Sequence, residues 1–576
     1  MRRLILLMLT LAPLALAAQT KLNPADYIYP IREVPGLYSA NFGEMRPGHF
    51  HAGIDIKTDG VEGKPLVAVA DGYVSRIVVQ PGGYGRAIYL TLENGQTAVY
   101  GHLQRFRPDI EAFMQAERYR RKSNTVDRWL TAELYPVKQG DLIGYSGNSG
   151  SSGGPHLHFE LRDSRDQRLR NVVSEGIITP NDSLPPRFMK LHYVAIDSLE
   201  GRCIHFPRES YNVVRDAEQG YRLTREEPIP VGRKGYFIAE VTDRRNGVAN
   251  TFAVWRIAAT LDGEPIFEFR IDHFTHAFSR SCDAVSCYPL QLGSRNEVIR
   301  LAQLEGAPSF CYPTLVERGL VRSEVGQERT LELICEDDCG NRSTLSIPLV
   351  GVERTDSIPV LAVGEELIPM KEGKSFRLED EFSYYLPAES LYETTTAAIE
   401  PGTIPKLDST VVVLSPAYRV LDAKTPMRKA ATVTIRTHVP DSLRLKTVMA
   451  ARTWRGYAAS LGGKVEHDEI TVSTRTAGDY FVVADTVAPT IRPFFREGAD
   501  LQKDNRITFR VADNFTGIAS YRLEIDGEWR PIDRYPSRGT LVFHFDRPAT
   551  GAMHKVRLVV RDGVGNTTTW QGTYRH

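Results

Sequence analysis

Two parts of this chain repeat the same sequence pattern, which limits the folds that the chain can adopt. The segment VTDRRNGVAN and the LDGE at 261–264 are echoed by VADNFTGIAS and the IDGE at 525–528. The two copies open alike, with DSLP and DTVAP, and they close alike, with DDCGN and DGVGN. Short alternating runs between turn residues are typical of β-sandwiches. We therefore predict immunoglobulin-like β-sandwiches over residues 183–352 and 486–576.

The other strand-like segments predict a mainly β fold for the whole chain. Residues 64–104 contain alternating apolar runs, and Asn94-Gly95 between two of them is a strong hairpin signal. The stretch at 353–485 also alternates, which predicts a third β-sandwich. Residues 106–136 differ because apolar side chains recur there at helical spacing, so we expect a helical insertion between two groups of strands. The residues with this spacing are Ile110, Phe113, Met114, Val126, Trp129 and Leu130.

Length and charge indicate a multidomain protein that does not bind nucleic acid. The 576 residues exceed what one hydrophobic core usually serves, so about three to five domains are expected. The 71 Lys and Arg residues are balanced by 71 Asp and Glu, so the chain lacks the broad positive field of a nucleic-acid-binding protein. No DNA-binding or RNA-binding signature compensates for that absence.

The first residues predict export from the cytoplasm. Arg2 and Arg3 precede an apolar run that ends in Ala-Leu-Ala, a pattern typical of signal peptides. The run is shorter than the ~20 residues of a membrane helix, and no later stretch is long and apolar enough for one. We expect a signal peptide at 1–17 and a mature chain from near Ala18 with neither a transmembrane nor a lipid anchor. The expected location is the cell envelope, periplasmic or secreted.

The cysteines all fall in one central stretch of the chain. An oxidising compartment favours disulfides there, although the sequence does not choose among the pairings. Cys282 with Cys287 and Cys335 with Cys339 are close enough to form local bridges, and a four-cysteine zinc site is the alternative. The remaining two cysteines are Cys203 and Cys311.

Three short histidine-containing segments stand out in the first third of the chain. HFHAGID holds His51 and Asp55, VYGHL holds His102, and GGPHLHFEL holds His156 and His158. A His-x-His on a strand puts both rings on one face, because side chains repeat every two residues. Each segment alone is more often structural than functional. Together they offer the three protein ligands of a catalytic zinc and two further imidazoles.

Convergence of His51 and Asp55 on one ion requires a bent backbone. A fully extended chain separates Cα atoms four residues apart by about 13 Å. Gly53 lies midway between them, where a bend costs least. His49 lacks the four-residue spacing to Asp55, so we expect it to have a supporting or surface role.

These motifs resemble those of the lysostaphin-type, or LytM, zinc metallopeptidase family. Its members carry a His-x-x-x-Asp, an isolated His and a final His-x-His, and this chain has all three in order over roughly residues 40–165. FGEMRP, VAVADGYV and GDLIGYSGNSGSSGGP around them fit as well. The resemblance implies a zinc peptidase domain at 18–180 that hydrolyses peptide cross-links of peptidoglycan. It assigns Zn²⁺ to His51, Asp55 and His158, and it makes His102 and His156 the catalytic histidines.

The expected mechanism follows from the chemistry of zinc. The ion lowers the pKa of its water toward about 7, and the resulting hydroxide attacks the scissile carbonyl. His156 is the candidate general base and His102 the candidate donor to the oxyanion, and these two roles are exchangeable.

The insertion at 106–136 is where this chain departs from short members of the family. Its ends emerge beside the expected cleft, so it is a candidate wall or cover for the site. Its basic residues either meet carboxylates of the peptide stems or form a solvated helix face. Those residues are Arg118, Arg120, Arg121 and Lys122.

Two other functions compete with hydrolysis. A catalytically silent LytM-type scaffold or activator would bind cell-wall or envelope proteins, with the β-sandwiches as the surface for an envelope partner. A lipoyl-type or biotinyl-type carrier domain is suggested by VKQGDLIG, but the expected lysine is missing from the hairpin tip. The intact set of ligands and flanking histidines favours the peptidase, with peptidoglycan peptide stems as its partner.

Overall fold

The computed structural model describes residues 22–199, 202–217, 220–354 and 364–576. The described part of the chain is mainly β, arranged in a series of sheets, as the sequence predicts. The signal peptide expected at 1–17 lies outside the described residues. Within them, we find no helix with the length and apolar character needed to cross a membrane.

The N-terminal region forms one large antiparallel sheet beside a small three-stranded one. Its strands are β1 (Tyr38–Ala40), β2 (Met45–Arg46), β3 (His49–Phe50), β4 (Ile54–Lys57), β5 (Pro65–Val67), β6 (Gly72–Val79), β7 (Arg86–Leu92), β8 (Gln96–Gly101), β9 (Arg105–Phe106), β10 (Val126–Trp129), β11 (Pro136–Val137), β12 (Leu142–Tyr145), β13 (His156–Asp163) and β14 (Leu169–Arg170). The large sheet has the order β1-β4-β13-β8-β7-β6-β10, and β5-β12-β9 form the small one. The predicted hairpin is confirmed: Asn94-Gly95 joins β7 to β8, and Gly95 has a φ of +83° that favours glycine.

The insertion is helical only in its first half. Helix α1 spans Pro108–Arg121 and ends at Lys122, which adopts a left-handed conformation with φ +48°. Val126–Trp129 is strand β10, which pairs antiparallel with β6 at the edge of the large sheet. The prediction of helix for this second half is therefore wrong. Apolar residues three apart fit a helix, but here the open edge of β6 supplies the backbone hydrogen bonds.

The region that follows contains the first copy of the repeat. Its strands are β15 (Arg187–Leu199), β16 (Arg202–His205), β17 (Glu209–Asp216), β18 (Gly220–Leu223), β19 (Ile229–Val231), β20 (Lys234–Thr242), β21 (Arg256–Leu261), β22 (Glu264–Arg270), β23 (His273–Phe274), β24 (Glu297–Arg300), β25 (Thr314–Leu315), β26 (Val321–Arg322), β27 (Glu328–Glu336) and β28 (Arg342–Gly351), with short helices α2 (Cys282–Val285) and α3 (Tyr288–Gln291). Phe42 and Phe50 of the N-terminal region pack into the same core as Phe274. The histidine-bearing segment at 49–55 is thus anchored to the first repeat copy.

Two further groups of sheets complete the described chain. The first contains β29 (Glu366–Ile368), β30 (Lys374–Leu378), β31 (Phe382–Leu386), β32 (Thr395–Ala397), β33 (Glu400–Pro401), β34 (Val411–Val413), β35 (Tyr418–Arg419), β36 (Ala431–Arg436), β37 (Thr447–Arg452), β38 (Ala458–Gly462), β39 (Val465–Glu466), β40 (Glu469–Thr474) and β41 (Asp479–Asp485). The second contains β42 (Thr490–Pro493), β43 (Ala499–Asp500), β44 (Arg506–Ala512), β45 (Ile518–Ile525), β46 (Glu528–Arg530), β47 (Asp533–Tyr535), β48 (Thr540–His544), β49 (Met553–Asp562) and β50 (Thr567–Arg575). In the second group, a four-stranded and a five-stranded sheet share one core.

The two copies of the repeat make the same hydrogen bonds at matching positions. The Oδ1 atom of Asp262 accepts from the Thr330 amide at 2.8 Å, and Oδ1 of Asp526 accepts from the Lys555 amide at 2.8 Å. The repeated sequence therefore corresponds to a local structure that occurs in both copies. The assignment of both copies as immunoglobulin-like sandwiches stays a prediction.

All six cysteines are free thiols, so the expected local disulfides are wrong. Cys335 points from β27 into the core of the first repeat copy, whereas Cys339 packs against the core of the N-terminal region. Cys282 and Cys287 likewise belong to different cores. Proximity in sequence fails as a guide because the side chains of each pair diverge into separate hydrophobic clusters.

Candidate metal centre

Three of the predicted site residues meet at one buried point. Asp55 on β4 is directly opposite His158 on β13, and His51 precedes β4. Asp55 Oδ1 lies 2.9 Å from His158 Nδ1 and 3.1 Å from His51 Nε2, and those two nitrogens are 3.1 Å apart. Each of the three side chains is at least nine-tenths buried. The structure thus brings together the residues that the sequence assigns to the metal.

This donor set fits a tetrahedral zinc ion. Two imidazole nitrogens and one carboxylate oxygen are typical zinc ligands, and bonds of about 2.0–2.1 Å place neighbouring ligand atoms about 3.3 Å apart. The observed separations of 2.9–3.1 Å are close to that spacing. Burial alone would raise the pKa of Asp55, but the surrounding histidines hold it well below its usual range, so the group is a carboxylate.

Hydrogen bonds on the far side of each ring fix which nitrogen faces the ion. His51 Nδ1 donates to the Asn41 carbonyl at 2.8 Å, which leaves the lone pair of Nε2 directed at the metal position. His158 faces the metal position with Nδ1, and its Nε2 donates to Glu160 Oε1 at 2.8 Å. Such partners orient a ligand and raise its basicity.

Glu160 is a site residue that the sequence reasoning missed. It is fully buried, and besides His158 it accepts hydrogen bonds from the Tyr84 hydroxyl at 2.5 Å and from Arg162 Nε at 2.7 Å. The signal was available, because Glu160 lies two residues after His158 on the same strand face. Arg46, whose Nη2 is 3.3 Å from Asp55 Oδ2, was also missed, although it lies in the FGEMRP segment that fits the family.

The two remaining histidines lie beside the three candidate ligands. The rings of His102 and His156 are 4.8 Å apart, and His156 Nε2 is 3.5 Å from Asp55 Oδ1. Both rings donate through Nδ1 to a carbonyl at 2.8 Å, that of Ser149 for His102 and that of Gly154 for His156. Both therefore present the lone pair of Nε2 when neutral. Burial, reinforced by the neighbouring imidazoles, lowers the pKa of His102 to about 3.

Two other sequence expectations are refined by the structure. Gly53 is needed for a close approach, since a Cβ atom there would lie 2.2 Å from the Phe159 carbonyl oxygen on β13. Among the five candidate site residues, His102 has a left-handed backbone conformation, with φ +64°, which is uncommon for a residue other than glycine and is often found at functional sites. His49 is exposed, and its ring hydrogen-bonds to the nearby Pro47 carbonyl, in keeping with a surface role.

Three arginines of the insertion pair with acids outside this site. Arg118 is buried and pairs with Asp533 of the last repeat copy at 2.9 Å. Arg120 and Arg121 pair with Glu117 on their own helix. Neither alternative holds for Arg118, which is neither solvated nor free to meet a substrate carboxylate, because the last repeat copy covers this part of α1.

Sequence comparisons match two parts of the chain to known families. A model described as Peptidase family M23 matches residues 116–170, which include His156 and His158, and a model described as Zu5-like domain matches residues 366–485. The second match falls within the stretch predicted as a third β-sandwich.

The related proteins match less than a quarter of this chain. The chain is 33% identical over 119 residues to an uncharacterized metalloprotease of Haemophilus influenzae, covering 21% of this chain and 19% of that protein. It is 35% identical over 130 residues to DD-carboxypeptidase/endopeptidase Mpg of Neisseria meningitidis, and this match covers 23% of this chain and 24% of that protein. The chain thus spans about a quarter or less of the length of these curated relatives.

A solved structure with a similar segment is the catalytic domain of the prophage-encoded M23 protein EnpA from Enterococcus faecalis. The match is 28% identical in sequence, covers 23% of this chain and 85% of the EnpA chain, and has a TM-score of 0.17. Taken together, the gathered histidine motifs and the matched family show that the N-terminal region of this chain contains a peptidase domain of family M23, of the LytM type.

Proposed function

We propose that this protein is an exported, zinc-dependent endopeptidase that hydrolyses peptide cross-links of peptidoglycan. The observation that carries the proposal is the convergence of His51, Asp55 and His158 with His102 and His156 beside them. The relative named as a DD-carboxypeptidase/endopeptidase supports the substrate class. The sequence of the first 17 residues supports export.

In this proposal His51, Asp55 and His158 hold the zinc ion. Bound zinc supplies a Lewis acid that polarises the scissile carbonyl and makes a nearby water more acidic. Arg46 holds the outer oxygen of Asp55 and leaves Oδ1 for the ion. Glu160 keeps His158 in one orientation through the hydrogen bond to Nε2.

His156 is the proposed general base. Its Nε2 is a proton acceptor because Nδ1 already donates to the Gly154 carbonyl, and it lies beside Asp55. His102 has the same tautomer, so it can donate to an oxyanion only after its Nε2 has taken a proton. The hydrogen bonds thus leave Nε2 of both rings as a proton acceptor. Because the pKa of His102 is lowered to about 3, its oxyanion role requires a proton that the ring takes up during the reaction.

The test is digestion of purified cross-linked muropeptides by the mature protein, read by mass spectrometry. We expect cleaved cross-links with zinc present, no cleavage after chelation, and recovery when zinc is restored. Binding of muropeptides without any cleavage, by a zinc-loaded protein, would refute the peptidase and favour the scaffold alternative.

A further inference from the structure

A second cluster of acidic side chains lies in the first repeat copy. Asp182, Asp243 and Asp337 come from three separate segments, and their carboxylate oxygens lie within 4.8 Å of one another. Among the described residues, none of the three forms an ion pair with a lysine or an arginine. The nearby Arg245 is engaged by Asp338.

Asp243 points to a ligand at this position. It is fully buried, and neither of its carboxylate oxygens has a hydrogen-bond partner in the described chain. The Oδ2 atom of Asp182 is buried and unpartnered as well. An unpartnered buried carboxylate is costly, and two other carboxylates beside it increase the cost. A cation held between them removes both penalties.

The second repeat copy carries the same arrangement. Asp485, Asp513 and Asp562 occupy the matching sequence positions, and their oxygens also lie within 4.8 Å of one another. In both copies one asparagine braces the cluster. Asn341 Nδ2 donates to Asp337 Oδ2 at 2.9 Å and to the Asp182 carbonyl at 3.4 Å. Asn566 makes the equivalent bonds to Asp562 and Asp485.

We propose that Asp182, Asp243 and Asp337 bind a calcium ion. Ca²⁺ takes six to eight oxygen ligands in flexible geometry, whereas Mg²⁺ requires a near-ideal octahedron. Three carboxylates from separate segments suit the more tolerant ion, with water and backbone carbonyls completing its shell. Extracellular calcium modules have a Kd of about 0.1–1 mM, and we expect a value in this range.

The calcium site is joined to the peptidase site by a short chain of hydrogen bonds. Asp243 and Phe252 exchange backbone hydrogen bonds of 3.1 and 3.0 Å. The side chain of Asn41 then pairs with both backbone groups of Ala253, at 2.9 and 3.0 Å. The carbonyl of Asn41 accepts the hydrogen bond from His51. Calcium at Asp243 therefore stabilises the loop that supports a candidate zinc ligand, a consequence that rests on the proposed function.

Calcium titration of the zinc-loaded mature protein by calorimetry tests the site without any need for peptidase activity. We expect Ca²⁺ to bind, to raise the Tm, and to do so more tightly than Mg²⁺. Asp243→Asn should weaken binding of one Ca²⁺ equivalent by more than about tenfold. Asp197→Asn, an exposed acid on β15, is the matched control and should bind as the natural protein does.

Two further variants keep the test decisive. Asp182→Asn replaces Asp243→Asn if the latter fails to fold, since Asp182 is only half-buried. Asp513→Asn removes the matching acid of the second copy. The proposal is overturned if the natural protein binds no Ca²⁺ at about 10 mM, if the first-copy variants bind as it does, or if only Asp513→Asn loses an equivalent. Loss of muropeptide cleavage with calcium binding intact would count against the proposed function alone.

Discussion

At the scale of single residues, the site is defined as much by hydrogen bonds behind the rings as by the rings themselves. Each of the four histidines has one nitrogen committed, three of them to backbone carbonyls and His158 to Glu160. The other nitrogen of each ring is thereby fixed toward the shared space. Backbone carbonyls cannot be mutated, so Glu160 is the partner that experiments can remove.

Replacement of Glu160 by glutamine tests its support of His158. The change removes the charge that raises the basicity of the ligand, so we expect zinc affinity to fall by about 10- to 100-fold. Competition with a chromogenic chelator measures it. Glu175→Gln, which alters an acid paired with Arg170 on β14, is the control and should bind zinc normally. Equal zinc affinity of both variants would contradict the assigned role.

Alanine substitutions separate the ligands from the other two histidines. His51→Ala and His158→Ala should lose zinc, because each removes one of three protein ligands. His102→Ala and His156→Ala should keep zinc and lose about 10²- to 10⁴-fold in kcat, as expected for proton-transfer groups. Metal content by mass spectrometry, with muropeptide turnover on the same samples, distinguishes the two classes. Zinc loss in His156→Ala would show that the ligand set is wrong.

At the scale of elements, the contact between β4 and β13 positions the site. Their register places Asp55 opposite His158, and Gly53 lets the chain approach the Phe159 carbonyl. A methyl group at this position has no space. The sheet therefore depends on one glycine immediately before the strand that carries Asp55.

Gly53→Ala should destabilise the peptidase domain by about 1–3 kcal/mol and reduce zinc affinity, because the added Cβ pushes β4 away from β13. Denaturant unfolding and zinc competition measure the two effects. Gly154→Ala is the matched control, since a Cβ atom there meets nothing within 4 Å. A Gly53→Ala protein as stable as the Gly154→Ala protein would contradict this packing argument.

Elements also show where sequence reasoning succeeds and fails. The Asn94-Gly95 hairpin is predictable because its turn is local, and the repeat is predictable because its turn residues recur. The strand at Val126–Trp129 is missed because three-residue spacing fits a helix until a sheet edge is available. The five candidate site residues come from recognisable motifs. Asn41 lies outside those motifs, and its role arises from a contact with Ala253 across the fold.

At the scale of the whole molecule, the last repeat copy packs against the peptidase domain. Asp533 pairs with Arg86 at 3.1 Å and with Arg118 at 2.9 Å. Hydrogen bonds connect Arg86 to the site: its backbone amide donates to Ser149 Oγ, and the Ser149 carbonyl accepts a hydrogen bond from His102. No sequence signal predicts this docking, because the partners are separated by more than 400 residues.

Asp533→Ala should weaken this docking strongly. It leaves the buried Arg118 without its carboxylate partner, while Arg86 keeps its pair with Glu111, and we expect a cost of about 3–5 kcal/mol in the free energy of unfolding. Chemical denaturation measures the loss, and Asp504→Ala, an exposed acid in the same repeat copy, is the control. Both burial and the two arginine charges act on Asp533, and the arginines hold its pKa below the usual range. Unchanged unfolding of Asp533→Ala would exclude a stabilising interface.

Anomalous diffraction at the zinc edge, from crystals of the zinc-loaded mature protein, locates the metal ion and identifies its ligands. The proposed ligand set predicts one strong peak about 2.0–2.2 Å from His51 Nε2, Asp55 Oδ1 and His158 Nδ1, with His102 and His156 beside it but not bound. A peak at other residues, or coordination through His158 Nε2, would contradict it.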